Sequence, residues 1–158
     1  MLYPDQFGDD PLFPKHSDFA VVFKDEMAGR GVIARRAFKK GEVIARMAGH
    51  VVNEIRQHTL QLTPETHLFD PYFSGYFLHC CSPNISLNMT DLTVTALEDI
   101  AADTFLSMDY AETEDVLFKQ FPCSCGAANC RGWITGRKEM VNAEAMAPQL
   151  AHLNQGLR

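Results

Sequence analysis

The strongest constraint on the fold of this chain is a group of three cysteines near its C-terminus. They are Cys123, Cys125 and Cys130, in the order C-x-C-x4-C. Three thiolates this close in sequence can converge on one tetrahedral ion, but a closed structural zinc site needs four ligands. The candidates for the fourth ligand are Cys80, Cys81 and His79. The alternative is a set of reduced structural thiols, because an odd number of cysteines fits a disulfide scaffold poorly.

Composition limits the protein class. The chain has 158 residues, of which 46% are hydrophobic and 22% charged, values typical of one globular domain. No apolar run reaches the 18 or more residues that a membrane helix needs. The first residues, Met1 to Asp10, are acidic and contain no Lys or Arg, unlike a secretory signal. We therefore expect an intracellular protein, cytoplasmic or nuclear, with delivery into another cell left open.

Charge is distributed unevenly along the chain. Six basic residues lie between Arg30 and Arg46, whereas the stretch from Gln57 to Phe118 contains ten Asp and Glu and no Lys or Arg. This pattern predicts a basic protein partner attracted to the acidic half, and it argues against nucleic acid. The alternative interpretation is two solvated faces.

The apolar segments are short and are separated by Gly, Asp and Lys-Gly turns, which favours a mainly β fold. Strands are predicted at Phe19 to Lys24, Val32 to Ala34, Glu42 to Met47, Thr93 to Leu97 and Phe105 to Met108. Good helix formers from Arg137 to Ala147 predict a terminal helix, which Pro148 should end or kink. The segment from Gln57 to Ser74 has no clear period and is interpreted as an insert.

Two further motifs are ambiguous by themselves. Gly29-Arg30-Gly31 is typical of an ordinary turn, and Tyr110 of a core tyrosine that ends a strand. His79 beside Cys80 does not form a catalytic dyad, since neighbouring residues of an extended chain point to opposite faces. Interpretation of these motifs depends on their order.

That order resembles the SET-domain family of protein-lysine methyltransferases over roughly residues 21–133. The matching segments are Gly29-Arg30-Gly31-Val32 with Lys40-Gly41-Glu42-Val43-Ile44, His79-Cys80-Cys81-Ser82-Pro83-Asn84, Leu106-Ser107-Met108-Asp109-Tyr110, and Cys123-x-Cys125-x4-Cys130-Arg131-Gly132. Composition indicates an extended lead-in (1–18). The resemblance implies a SET domain (19–118, insert about 53–74) and a post-SET zinc element (119–136), which the predicted C-terminal helix and tail (137–158) follow.

The resemblance also implies the fold and the site. The fold would be the family's β-clip of short sheets, with a pseudoknot in which the segment His79 to Asn84 passes beneath the loop that carries Asp109 and Tyr110. Tyr110 would be catalytic. The S-adenosylmethionine donor would lie against Gly29, Arg30, Gly31, Leu78, His79, Tyr110 and Trp133. One structural zinc ion per chain would be held by Cys81, Cys123, Cys125 and Cys130, which leaves Cys80 free.

Three positions depart from the family pattern. Leu78 stands where the family has asparagine, and Gly75 stands where it has arginine; both family residues help to hold the donor. Met108 occupies a position that influences how many methyl groups are added. The resemblance implies methyl transfer to a lysine amine of a histone or another basic protein. A non-catalytic protein-binding module with the same fold is the alternative that Leu78 and Gly75 favour.

Overall fold

A computed structural model describes residues 1–148. Those residues form short strands and little helix, as the sequence predicts. The strands are β1 (Phe19–Asp25), β2 (Gly29–Ala34), β3 (Val43–Arg46), β4 (His50–Val52), β5 (Thr59–Gln61), β6 (His67–Phe69), β7 (Leu78–His79), β8 (Ile85–Asn88), β9 (Thr93–Ala96), β10 (Ser107–Met108), β11 (Phe121–Pro122) and β12 (Trp133–Ile134). One helical turn, α1 (Tyr110–Thr113), follows β10. Short 3-10 helices cover Asp5–Phe7 and Ser74–Tyr76.

The strands form small separate sheets. The hairpin β1–β2 is antiparallel, β3, β9 and β8 form a three-stranded sheet, and β4, β6 and β5 form another. The segment interpreted as an insert therefore contributes two strands of its own, β5 and β6. Each predicted strand overlaps an observed one. In β9, for example, the β-branched residues Thr93, Val94 and Thr95 suit the alternately buried positions of the sheet.

Two segments that are distant in sequence lie side by side. Strand β7 pairs in parallel with β10, and the Asn84 side chain donates to the Phe105 carbonyl at 2.9 Å and accepts from the Ser107 N–H at 2.8 Å. On the other side, the Asn84 carbonyl accepts from the Leu97 N–H. The segment that ends at Asn84 is thus hydrogen-bonded on both sides, as expected for the pseudoknot that the family resemblance implies.

The N-terminal residues are part of the core rather than an extended lead-in. Tyr3 and Phe13 are buried in the same cluster as Phe19 and Phe73. The Tyr3 hydroxyl donates to the fully buried Asp70 at 2.6 Å. Burial, reinforced by the nearby Asp70 carboxylate, raises the pKa of Tyr3 well above its usual value, so the hydroxyl stays protonated and keeps donating.

Asp70 in turn fixes the segment that leads into the site. Its two oxygens accept from the N–H groups of Tyr72, Phe73 and Ser74 at 2.8 to 3.0 Å, and from the Ser74 hydroxyl. A buried carboxylate with this many donors is compensated. These hydrogen bonds therefore fix the start of the segment from Ser74 to Leu78.

We expect Tyr3→Phe to lower the free energy of unfolding by about 1.5–3 kcal/mol, the range for a hydrogen bond to a charged group. Thermal and urea unfolding measure the effect. Tyr72→Phe is the matched control, since its hydroxyl lies 3.4 Å from His50 at the surface. Equal stabilities of the two variants would show that the Tyr3–Asp70 bond contributes nothing.

The terminal helix begins later than predicted. Residues 137–142 are not helical, and helix covers 143–148, where the description of the chain ends. The Arg137 and Lys138 N–H groups instead donate to the carbonyls of Glu114 and Asp115, both at 3.0 Å. Asn142 then accepts from the Ala145 N–H and caps the first turn. Tertiary hydrogen bonds outweigh helix propensity here, and the effect of Pro148 lies at the limit of the described residues.

No helix among residues 1–148 is long and apolar enough to cross a membrane.

Candidate functional site

Four cysteine sulfurs converge at the base of the C-terminal segment. They belong to Cys81, Cys123, Cys125 and Cys130, and all lie within 4.8 Å of one another. Tetrahedral zinc with Zn–S bonds of about 2.3 Å places its sulfurs about 3.8 Å apart. The sulfur set therefore fits a structural zinc ion, while Cys80 is outside it.

The surroundings of the sulfurs support this fit. N–H groups of Cys81 and Ala127 lower the pKa of the Cys125 thiol to about 6. Burial raises the pKa of the Cys81 and Cys123 thiols, so a bound cation would have to displace their protons. A metal ion binds the thiolate form and releases those protons.

The cysteine cluster is connected through Arg131 to Asp109, the residue before Tyr110. The Arg131 N–H donates to Cys81 Sγ at 3.4 Å, and the Arg131 guanidinium makes a bidentate pair with Asp109 at 2.7 and 3.0 Å. Burial disfavours the charged form of Asp109, but hydrogen bonds from Arg131 and the Ala111 N–H outweigh it and lower its pKa. Asp109 thus supports the loop as a stable carboxylate.

His79 forms a second connection. Its Nδ1 accepts from the Tyr110 N–H at 3.1 Å, which places the proton on Nε2, 3.4 Å from Cys81 Sγ. Burial, reinforced by Arg131, lowers the pKa of His79 to about 4. The imidazole is therefore neutral at pH 7, and it orients a metal ligand on one side and the tyrosine backbone on the other.

Tyr110 lies where two cavities meet. Its hydroxyl donates to the Phe77 carbonyl at 2.6 Å, and burial with the nearby Glu114 charge raises its pKa above the usual value. The first cavity, about 430 Å³, lies between the insert and the segment after α1; the second, about 470 Å³, lies beside the cysteine cluster. Both are lined by Ala28, Leu78, Tyr110 and Phe121.

The residues predicted to hold a donor are divided between these cavities. Gly29 and Arg30 line the first, His79 lines the second, and Leu78 and Tyr110 line both. Trp133 lines neither: its indole N–H donates to Gln120 at 2.9 Å, and it pairs with Pro122 across β11 and β12. The segment after α1 instead contributes the apolar side chains of Leu117, Phe118 and Phe121 to the first cavity.

Gly31 also lies outside both cavity linings, and its requirement for glycine comes from packing. A Cβ at this position would lie 2.8 Å from Leu78 Cδ1 and 3.0 Å from Phe105 Cδ1. Leu78 thus rests on the bare backbone of Gly31. Leu78, which departs from the family pattern, and Gly31 therefore form one packing unit.

We expect Gly31→Ala to displace Leu78, to destabilise the fold by about 1–3 kcal/mol and to weaken donor binding. Leu78→Ala should relieve most of that cost when the two changes are combined, because it removes the atoms in collision. Thermal unfolding and donor calorimetry of both single variants and the double variant measure the coupling. Additive effects would mean that Gly31 is needed for another reason.

Gly75 is fixed by a similar constraint. A Cβ there would lie 2.6 Å from His58 Cβ and would collide with the Asp70 carbonyl. His58 has a positive φ of 70° and its Nδ1 donates to the Gly75 carbonyl at 2.9 Å. His58 therefore fills the space that a larger residue at position 75 would need.

The structure adds cavity residues that sequence reasoning missed. Glu114 and His58 line the first cavity, although neither belongs to a recognisable motif. Their only sequence signal is that a carboxylate follows Tyr110 within one helical turn and a histidine lies in the insert. Their partners are far away in sequence, so spacing could not identify them.

The ten carboxylates of the acidic stretch do not form one face. Asp70 is fully buried, Asp109 pairs with Arg131, and Asp115 pairs with Arg137 at 2.7 Å. The first cavity itself is lined by one carboxylate, Glu114, and by three basic side chains: Arg30, Arg56 and Lys119. The acidic stretch therefore forms no continuous negative surface, and the lining of the first cavity carries more basic than acidic side chains.

Comparison with known proteins agrees with this arrangement. The histone-lysine N-methyltransferase, H3 lysine-9 specific, of Schizosaccharomyces pombe is 28% identical over 159 residues, covering 73% of this chain and 32% of the relative. The chain thus spans about a third of that protein. KRYPTONITE in complex with mCHG DNA and SAH has a TM-score of 0.60 at 22% identity, covering 73% of this chain and 29% of that one. Its complex with mCHH DNA, H3(1-15) peptide and SAH has a TM-score of 0.58 at 20% identity over the same shares.

At these identities the solved structures establish the fold alone. The family profile described as SET domain matches residues 29–111, which is more than half of the chain. The match runs from the start of β2 to α1. That match covers the paired segments β7 and β10 and ends one residue after Tyr110. The chain therefore belongs to the SET domain family.

Proposed function

We propose that this chain transfers a methyl group from S-adenosylmethionine to the side-chain amine of a lysine in a protein. The observation that carries the proposal is the position of Tyr110 at the junction of two cavities. A two-substrate transfer needs its reacting atoms in one place, held at near-attack separation. The relative from S. pombe is named as a histone-lysine methyltransferase, and both KRYPTONITE complexes contain SAH.

The residues that would hold the donor lie along the boundary between the cavities. They are Gly29, Arg30, Leu78, His79 and Tyr110, with Gly31 acting through Leu78. Trp133 would contribute through its pairing with Pro122, which lines the second cavity. The donor supplies a methyl group activated by its sulfonium charge. The cysteine cluster, with one zinc ion, would hold the wall of the second cavity in place.

The lysine side chain would enter through the first cavity. Its aliphatic part would contact Tyr76, Phe77 and Met108, which line that side. Lysine has a reference pKa of about 10.4, so removing its proton at pH 7 costs about 4.6 kcal/mol. A low-dielectric cavity reduces this cost by disfavouring the ammonium ion. Tyr110 would orient the reacting groups and would not attack.

A histone or another basic segment is the proposed protein substrate. The name of the S. pombe relative, a histone-lysine methyltransferase, and the H3 peptide in one KRYPTONITE complex support a basic peptide. The exclusion of nucleic acid stays a prediction, since both KRYPTONITE complexes also contain DNA. Action inside a cell, in the cytoplasm or nucleus, likewise stays a prediction.

A non-catalytic protein-binding module is the second candidate. Two observations favour it: Leu78 offers no polar group to a donor, and position 75 has no space for a side chain. Donor calorimetry separates the candidates, because a module without activity needs no donor. Retention of Tyr110 at the junction favours the enzyme.

The test is methyl transfer from labelled donor onto a panel of histones and a cell lysate, with the modified residue identified by mass spectrometry. We expect label on lysine side chains of basic proteins. Donor binding without lysine methylation on any substrate would favour the binding module. The absence of donor binding would contradict the proposed reaction.

A further inference from the structure

Glu114 is a buried carboxylate inside the first cavity, beside Tyr110. It is 6% exposed and shares the cavity lining with Tyr110, Phe77, Met108 and Leu117. Burying a charge among such side chains is costly unless something compensates it. The proposed roles of Tyr110 and the donor residues give this carboxylate no function.

Glu114 is held in place by its backbone and by one of its two oxygens. Its N–H donates to the Tyr110 carbonyl at 2.9 Å, and its carbonyl accepts from Arg137. The Gln61 N–H donates to Oε2 at 2.9 Å. Among the hydrogen bonds of residues 1–148, none engages Oε1. One oxygen therefore fixes the side chain, whereas Oε1 makes no hydrogen bond within residues 1–148.

The surroundings of Glu114 adjust its basicity. Burial raises the pKa of Glu114 above its usual value, and the nearby Asp115 charge adds to this shift. The Gln61 N–H, the Thr113 side chain and the Arg137 charge favour the carboxylate and oppose the shift. Other ionisable groups share the cavity. They are Tyr110, His58, Arg30, Arg56 and Lys119.

The substrate ammonium group must lose a proton before it can react, because its nitrogen has no free lone pair. Only about one lysine in 10³ is uncharged at pH 7. Tyr110 cannot accept that proton: its hydroxyl already donates to Phe77, and its raised pKa keeps it protonated. His79 cannot either, because its Nδ1 accepts from the Tyr110 N–H and its Nε2 faces the cysteine cluster. Glu114 is the carboxylate of the same cavity.

We propose that Glu114 Oε1 accepts the proton that the lysine ammonium group loses before methyl transfer. The inference rests on the proposed function. An N–H bond of the ammonium breaks and an O–H bond forms at Glu114, which leaves a neutral amine and a neutral carboxyl group. The nitrogen lone pair then forms the N–C bond while the C–S bond breaks, with its electron pair remaining on sulfur. Glu114 returns its proton to solvent after product release.

A buried position suits this step. In a low-dielectric site a carboxylate with a raised pKa is a better proton acceptor than one in water, and the ammonium is a better donor. Both shifts narrow the gap in proton affinity between the two groups. General-base catalysis of this kind contributes roughly 10²- to 10⁴-fold.

The test compares Glu114→Gln with Glu112→Gln across pH. Glutamine keeps an oxygen for the Gln61 N–H, so the fold should be retained, which thermal unfolding checks. Glu112 is the matched control: it lies on the same turn but is exposed and accepts from Ser86 at 2.6 Å. We expect kcat at pH 7 to fall about 10²-fold or more in Glu114→Gln and to change little in Glu112→Gln.

The pH profile separates a proton acceptor from a structural residue. In the wild type the ionised Glu114 takes up the proton of the ammonium group, so kcat should depend less steeply on pH than in Glu114→Gln. In Glu114→Gln only the free amine reacts, so kcat should rise about tenfold per pH unit. A peptide with a less basic amine, S-(2-aminoethyl)cysteine in place of the lysine, should restore part of the lost rate.

Three results decide the matter. Parallel pH profiles for the wild type and Glu114→Gln, or a loss that the less basic amine does not restore, would overturn the role of Glu114. A wild type that binds donor yet methylates no lysine would instead contradict the proposed function. Donor calorimetry on both variants should give unchanged affinities, because Glu114 acts on the amine.

Discussion

Tyr110→Phe should lower the rate of methyl transfer by on the order of 10² or more, comparable to the loss of one preorganised polar group at a reacting centre. The substitution keeps the ring and its contacts with His79 and Phe121, whose centroids lie 5.2 and 5.7 Å away. It removes only the hydroxyl that donates to the Phe77 carbonyl. Packing should therefore persist while the junction of the two cavities loses its polar group.

Single-turnover kinetics with labelled donor on a mixed histone substrate measure this effect. Removing the hydroxyl leaves the Phe77 carbonyl unpaired, so the free energy of unfolding should also fall by about 1–2 kcal/mol. Tyr72→Phe is the control for a general effect of losing a hydroxyl, since Tyr72 lies outside both cavity linings. Equal turnover of wild type and Tyr110→Phe would remove Tyr110 from the mechanism.

The second large effect concerns the metal. We expect one zinc ion per chain in the native protein, and Cys125→Ser should reduce this to well under half an equivalent. Because folding around structural zinc is coupled to metal binding, the segment around the cysteine cluster should lose its order. Arg131 would then lose its bond to Cys81 Sγ, and with it the geometry of its pair with Asp109.

Donor affinity should fall with the metal, since Cys123 and Cys125 line the second cavity. Metal analysis, donor calorimetry and chelator titration follow the two losses together. Cys80→Ser should retain the zinc, because its sulfur lies outside the cluster. Less than half an equivalent of zinc in the wild type, or full zinc in Cys125→Ser, would contradict the ligand set.

The sequence alone was sufficient where the signal is local. The spacing of Cys123, Cys125 and Cys130 predicts a metal-binding loop because nearby thiols must converge. The short apolar runs predict strands such as β1 and β9, since β-branched residues favour that geometry. The order of motifs then indicates the family, which the match over residues 29–111 confirms.

What the tertiary structure decided involves residues far apart in the chain. Cys81 could join the cluster, and Asn84 could bridge to Ser107, only through the parallel pairing of β7 and β10. Glu114 came to face a cavity because Gln61, 53 positions earlier, donates to it.

Two local differences between expectation and structure have the same cause. Residues 137–142 carry helix-forming side chains, but their N–H groups found partners in the segment after α1. Tyr3 lies within a segment whose composition is typical of an extended lead-in, yet its hydroxyl donates to the buried Asp70 and its ring is part of the core. A local pattern determines which conformations a segment favours, whereas the partners that it meets on folding determine which one it adopts.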